Sequence, residues 1–335
     1  ISGLLGAGDI KQAQDAAHTS VALYALMAAV MTVLGLLFVP QILRLVQTPA
    51  AAMPEAKRYL YTVFAGTVFT FGYNLIGALQ RGLGNAAASM SFVIISSAAN
   101  IALDAVFIVW LGMGAFGAAL GTVLSQVAAF VIGTVQFARG GAALRLSARA
   151  VRFHKKHLKN ILLFGVPTAL NEVMVNLAML TVSGVANSFG LASSAAYGVG
   201  SRINSLAIFT DGAMNQTMSA YASQNIGAGR QKRALEGLWK AIILSAGAAL
   251  GTSLLVLGFA SEFSACFDSD PAVIEQSAAF LRVTVWSYPL FATVGPLIGF
   301  IRGTGNVEAS LLVGVVAQLC CRVPASFLFS RWMGF

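Results

Sequence analysis

Apolar residues run along this chain in nine long blocks, separated by short polar interruptions. The blocks lie at about 20–46, 59–80, 88–111, 115–138, 160–187, 193–222, 239–261, 278–300 and 308–330, each long enough to cross a bilayer's hydrocarbon core as a helix. Strict polar–apolar alternation is absent, and Gly, Ala and Leu dominate, so the pattern predicts helices rather than barrel strands. Small residues let helix backbones approach where lipid supplies no hydrophobic drive between helices. The expected class is an all-α polytopic membrane protein, with the lipid bilayer as its solvent.

Composition agrees. Hydrophobic residues make up 57% of the chain and charged residues 10%, against about 25% charged in a soluble domain. Mean hydropathy is +0.78. The net charge of +9 changes the picture only through its placement. Arg139, Arg145, Arg149, Arg152, Lys155, Lys156 and Lys159 crowd one loop, and Lys11, Arg81, Arg230, Lys232, Arg233, Lys240 and Arg302 fall on the same side if the spans alternate. The other side has Arg44, Lys57, Arg58, Arg282 and Arg331. This asymmetry is the positive-inside signature, so the basic side is expected to face the cytoplasm. No basic surface interleaved with aromatics appears, which argues against nucleic acid. The three cysteines, Cys266, Cys320 and Cys321, form no metal-ligand spacing or disulfide framework, and His154-x-x-His157 lacks Cys or carboxylate partners for a metal.

The chain also repeats itself. Ser2, Gly6, Ala7, Gly8, Lys11 and Ala13 recur as Ser223, Gly227, Ala228, Gly229, Lys232 and Ala234; Arg81, Gly82, Gly84, Asn85, Ala88 and Ser89 recur as Arg302, Gly303, Gly305, Asn306, Ala309 and Ser310. Both blocks share one offset, since 223 − 2 equals 302 − 81. Duplicated halves in an apolar protein point to a secondary transporter. The polar stretch 139–159 falls between the copies and reads as a basic cytoplasmic connector, its charges solvated among lipid headgroups. The first repeat is then 1–138 and the second 160–335. In the second, two spans precede the Gly227-Ala228-Gly229 motif. Their counterparts would precede residue 1, and the partner of span 115–138 would begin beyond Phe335. The expectation is two parallel six-helix repeats, 12 helices in the intact protein and nine here, related by an axis along the membrane normal.

Gly6-Ala7-Gly8, Gln224-Asn225-Ile226-Gly227-Ala228-Gly229, Gln80-Arg81-Gly82-Leu83-Gly84-Asn85, Arg302-Gly303-Thr304-Gly305-Asn306 and Leu111-Gly112-Met113-Gly114-Ala115-Phe116-Gly117 resemble, in order and spacing, the short loops of the multidrug and toxic compound extrusion (MATE) family of cation-coupled exporters. The resemblance covers the whole chain as helices three to eleven. Physically, glycine permits sharp turns between helices, and the paired arginines are expected to snorkel to phosphates or bond helix-terminal carbonyls.

Ionisable residues inside spans are the default functional candidates, because each charge costs about 2.5–3.5 kcal/mol at a helix centre. Asp104 leads. Asn100 is four residues earlier on the same helical face, and Thr122 on the next helix offers a third oxygen. Such hard ligands suit an alkali cation, and the carboxylate alone could take a proton; the alternative is a buried polar network that fixes packing. The resemblance implies the former, since family members with a sodium-type site use an Asn and an Asp four apart on helix five and a Thr on helix six, with an Asp from helix one. Aligning Met113-Gly114 with Met333-Gly334 sets Cys320 opposite Asn100 and Pro324 opposite Asp104, so the second repeat lacks the triad.

Glu172, with Pro167 before it and Asn171 and Asn176 near, is a candidate substrate or proton contact; some family members carry an acid after a proline on this helix, about one turn later. Asp211, with Asn215 one turn on, is another candidate contact, and pairing with Arg202 is the structural alternative. Arg322 could neutralise either acid. Aromatics such as Tyr73, Trp286 and Tyr288 could line a cavity for organic cations.

The resulting expectation is a non-enzymatic secondary exporter in the bacterial inner membrane. It would be a monomer that antiports small amphipathic, often cationic organic substrates against Na+ or H+, with no further cofactor. The alternative within the superfamily is a flippase for lipid-linked glycans, which would need a strongly cationic cavity, whereas only Arg202 and Arg322 lie well inside spans. An enzyme lacks support, because His18, His154 and His157 all fall in cytoplasmic-side loops and no nucleophile–base set appears.

Overall fold

The computed structural model of the chain describes residues 1–140, 144, 146–147 and 151–332. Arg145, Arg149, Met333 and Gly334, and the side chain of Arg331, lie outside the described residues. In chain order the helices are α1 (Ser2–Gly6), α2 (Ile10–Leu45), α3 (Met53–Gly82), α4 (Ala86–Asp104), α5 (Gly114–Arg139), α6 (Lys155–Asn187), α7 (Leu191–Gly227), α8 (Gln231–Gly258), α9 (Ala260–Ala265), α10 (Pro271–Thr284), α11 (Tyr288–Phe291), α12 (Val294–Gly303), α13 (Val307–Val315) and α14 (Val323–Trp332). A π-helical turn, Ala105–Trp110, extends α4, another, Val316–Arg322, joins α13 to α14, and a 3-10 turn, Val285–Ser287, joins α10 to α11.

Every expected crossing falls on helix. Eight segments among the described residues are long and apolar enough to span a membrane, making this a multi-pass membrane protein. The ninth, α7, has 37 residues but is more polar, since Arg202, Asn204, Asp211, Asn215 and Gln216 interrupt its apolar face. The expected single helix over 278–300 is instead broken between Thr284 and Val294.

The chain forms two compact units, Ile1–Ile161 and Leu162–Phe335. In the first, Ala13, Ala17, Leu75, Ile76, Leu79, Phe92, Ala129 and Phe137 make one buried cluster. In the second, Val199, Ile203, Val256, Leu281, Val285 and Tyr288 anchor another. Large apolar side chains such as Leu37, Val109, Trp110 and Leu180 stay exposed, as a lipid-facing surface requires. The described part of the connector folds back on the first unit. Lys156 Nζ donates to Gln12 Oε1 at 2.8 Å, and the His154 amide donates to Thr19 Oγ1 at 3.3 Å. His18, expected in a loop, is instead buried on α2.

The sequence repeat is one turn used four times. Gly8, Gly84, Gly229 and Gly305 all adopt positive φ, between 72° and 94°, a conformation open to glycine because it has no Cβ. At three of these turns the next residue's amide reaches back five positions: Asp9 to Leu4 O, Asn85 to Gln80 O and Arg230 to Asn225 O. This closes the preceding helix. Asn85 and Asn306 then cap the following helix, their Oδ1 atoms accepting from the amides of Ala88 and Ala309, both at 3.1 Å. The paired arginines bond the helix that follows the turn. Arg81 Nη1 donates to Ser89 Oγ at 2.9 Å and Arg302 Nε to Ser310 Oγ at 3.0 Å, tying the helices before and after the turn. Both serines are buried.

Candidate functional site

Asp104 is the last residue of α4 before the π-helical turn, and Asn100 lies one turn earlier. That widened turn carries its own bonds, with the Leu111 amide on Val106 O and the Met113 amide on Phe107 O, both 2.9 Å. Widened turns of this kind recur at functional sites. Opposite lies α5. The Asp104 carboxylate rests directly on the backbone of Gly121, where a Cβ would overlap Oδ1. Glycine is thus what lets α5 come this close to an acid. Thr122 is the adjoining residue, and its hydroxyl donates to Ala118 O at 2.9 Å, leaving lone pairs on Oγ1. The same two helices are stitched nearer the start of α4 by Ser96 Oγ on Ser125 O at 2.7 Å and by the Ser91–Gln136 pair at 3.1 Å.

The polar atoms at this contact are not satisfied. Asp104 Oδ1 and Asn100 Nδ2 are buried without a hydrogen-bond partner among the described residues. A desolvated polar group left unpaired costs about 1–3 kcal/mol, more when charged. The unpartnered Asn100 amide lies one turn from the unpartnered Asp104 oxygen on α4, and the Thr122 hydroxyl adjoins Gly121, the glycine that the Asp104 carboxylate touches.

In the second unit the three candidates separate. Glu172 is exposed on α6 and lies within coulombic range of the Arg302 guanidinium. Asn176 spends its amide on its own helix, donating to Glu172 O at 2.8 Å. Asn171 is buried, its Oδ1 unpaired and pressed on the Gly314 backbone of α13. Asp211 does not pair with Arg202; its Oδ1 accepts from the Gly295 amide at 2.6 Å. Arg322 donates to Met179 Sδ at 3.3 Å. Sequence reasoning missed Gly121 and Gly295, because a glycine's partner across a helix contact has no signal at fixed spacing.

Residues 1–106 and 167–328 match the family model described as MatE. The probable multidrug resistance protein YpnP of Bacillus subtilis (strain 168) is 27% identical over 293 residues, covering 88% of this chain and 65% of that protein. The probable multidrug resistance protein YoeA of the same organism is 27% identical over 340 residues, covering 98% of this chain and 72% of that protein. The chain therefore spans about two thirds of the length of these curated relatives. Among solved structures, the outward-facing conformation of a multidrug resistance MATE family transporter of the MOP superfamily aligns with a TM-score of 0.92 at 23% identity, over 99% of this chain and 74% of that one. At this identity the likeness establishes the fold. With its first repeat matched through the helix that carries Asn100 and Asp104, and its second from Pro167 onward, this chain belongs to the MatE family.

Proposed function

We propose that this protein exports small amphipathic, often cationic organic compounds from the cell. Export is driven by Na+ or H+ entering through the site at Asn100, Asp104 and Thr122. The observation that carries the reading is the buried, partnerless Asp104 carboxylate oxygen beside a partnerless Asn100 amide, in a family whose relatives bear multidrug-resistance names. Structural acids in apolar surroundings keep their donors, whereas an acid that binds and releases a cation must spend part of its cycle without one. A monovalent cation or a proton at Asp104 offsets the desolvated charge, so the site prefers whichever state shields it from water. The empty carboxylate prefers a state that hydrates it. That difference in affinity is what couples ion entry to the switch between inward and outward access.

Glu172, exposed on α6, is the better placed of the second-unit acids to meet a cationic substrate. Asn176 stands one turn further along the same helix. The protein works as a monomer in the plasma membrane, and its low specificity follows from a cavity with few fixed polar groups.

The test uses cells stripped of their own efflux pumps and the protein expressed from its complete gene. Accumulation of a fluorescent organic cation is compared for wild type, Asp104→Asn and empty vector, with and without sodium. Low accumulation in wild type that Asp104→Asn abolishes supports export coupled at this site, and sodium dependence identifies the ion. Equal accumulation in all three, with expression verified, refutes drug export and favours a lipid or metabolite cargo.

A further inference from the structure

The segment 271–303 crosses the membrane as a broken rod. Two prolines account for the break, since Pro289 and Pro296 lack the amide hydrogen and crowd the carbonyls four residues earlier. The first repeat carries Val68 and Leu75 at the matching positions, 221 residues back, and there α3 runs unbroken from Met53 to Gly82. The interruption lies near the middle of a long apolar segment, where water is scarce and freed backbone groups need protein partners.

Two backbone groups at the break have such partners. Val285 O, opposite Pro289, accepts from the buried Ser253 hydroxyl of α8 at 3.2 Å. Further bonds come from one face of α7. Asn204 Oδ1 accepts from the Tyr288 hydroxyl and, at 3.4 Å, from Thr284 Oγ1. Seven residues on, along the same helical face, Asp211 Oδ1 accepts from the Gly295 amide at the start of α12. Four residues further, Asn215 backs Gly299 and takes a 3.4 Å bond from Arg302 Nη1. Asn204 therefore holds the segment where the first helix ends, and Asp211 holds it where the next begins. Gly295 is required for this grip, because a Cβ there would overlap Asp211 Oδ1.

We propose that Asp211, together with Asn204, is a positioning residue of transport: the pair splints a fixed bend into the 271–303 span, and turnover depends on that bend. This rests on the transporter reading above. It also gives Asp211 a role other than substrate contact, since one carboxylate oxygen is committed to a helix start. A charge-assisted bond of this kind is about twice as strong as a neutral one. An acid is thus the side chain of choice for restarting a helix in a low-dielectric layer, where the macrodipole adds to the attraction.

The experiment has two readouts on the protein expressed from its complete gene. With Cys266, Cys320 and Cys321 replaced by Ser, spin labels at Val283 and Leu297, both exposed, report the distance across the break. Export of the fluorescent cation gives maximal rate and KM. Asp211→Ala is expected to shift or broaden the distance and to lower the maximal rate about tenfold or more, the loss for one charge-assisted bond, at unchanged KM. Asp211→Asn, which keeps an acceptor for the Gly295 amide, restores the distance and part of the rate. In a Pro289→Val/Pro296→Leu background, which copies the first repeat, Asp211→Ala adds no further loss, because the bond it serves is gone. Asn204→Ala removes the acceptor of the Tyr288 hydroxyl at the other end of the break, and gives a distance shift of its own if Asp211→Ala does not fold. An unchanged distance in Asp211→Ala and Asn204→Ala, or an equal rate loss in the bent and straightened backgrounds, overturns the proposal. A wild type that exports no probe while the distances respond as stated refutes the transporter reading and the dependence of turnover on the bend, and leaves the splint established.

Discussion

Adding one methyl group at Gly121 separates the coupling site from the rest of the fold. In Gly121→Ala the new Cβ falls on Asp104 Oδ1, while the Asp104 backbone nitrogen stays 3.4 Å away. The obstacle is thus the far end of a side chain with two free torsions, and the carboxylate can swing aside without moving α4. Overpacking costs about 1–3 kcal/mol, and replacing a mid-helix glycine by alanine returns about 0.5–1 kcal/mol. The net loss of stability is at most about 2.5 kcal/mol, with the low end favoured because no backbone is displaced. Under the proposed function the ion site fares worse, because its charged ligand is pushed from place and disturbing a ligand's support weakens cation binding by about 10- to 100-fold. Function is therefore lost before fold. The assay is the sodium concentration, or the pH, that gives half-maximal substrate binding in detergent-purified protein, read beside thermal unfolding. Gly133→Ala is the control. Its Cβ would first meet Ile76 and Phe92, at 3.2–3.3 Å, so it should cost stability and leave the ion dependence alone. If Gly121→Ala folds and keeps the wild-type midpoint, the carboxylate at Asp104 is not the coupling ligand.

Two further outcomes follow from the repeated turn and the first helix cap. Asn85→Ala and Asn306→Ala each remove the one side-chain acceptor at the start of a helix, so each should cost about 1 kcal/mol. The two melting-temperature losses should be similar and add in the double variant, and strong non-additivity would argue against equivalent, independent turns. Asp9 takes the Gln12 amide at 3.0 Å, and that backbone bond, followed by the Gln12 side chain and the charges of Lys156 and His157, holds its carboxyl below the usual range. Its contribution is present above the unfolded carboxyl value, about 3.9, and is lost as pH falls through the lower folded one. The melting difference between wild type and Asp9→Asn should persist from pH 7 to about 5 and vanish at the acid end. A difference that survives at the acid end would contradict this.

Much of the fold was legible because the bilayer imposes it. Twenty or so apolar residues in a row have few alternatives to a helix, and the Gly-x-Gly turns identified themselves by recurring. What escaped was partnership across helices. Arg81 and Ser89 stood in the same repeated block, and so did Arg302 and Ser310, yet their bonds appear only once the turn folds the second helix back on the first. Pro289 and Pro296 were visible in the sequence, but proline is tolerated in membrane helices often enough that the span read as continuous. Asn100 and Asp104 were found because both sit on one helix at a spacing that fixes their common face. Asp211 found its partner 84 residues away, in a backbone amide that no residue type advertises. Arg202 was the obvious mate by charge and the wrong one by geometry, since nine residues along a helix is two and a half turns, which sets the pair on opposite faces.

The duplicated scaffold has thus been used for two opposite treatments of a carboxylate. In the first unit Asp104 is held against a glycine with no donor supplied, and its burial stays uncompensated until something positive arrives. In the second unit Asp211 meets a helix start and its charge is already answered. An ion can do work only where it changes an unfavourable charge into a favourable one, since a ligand shifts a conformational equilibrium only by its differential affinity for the two states. Asp211 offers little to gain in that sense, because a cation there would have to displace a 2.6 Å bond and uncap α12. Under the proposed function, the orphaned acid is the energetic input and the satisfied one part of the frame. On this view Asp104→Asn and Asp211→Ala should fail in different ways: the first loses ion dependence on an intact frame, and the second keeps ion dependence on a looser one.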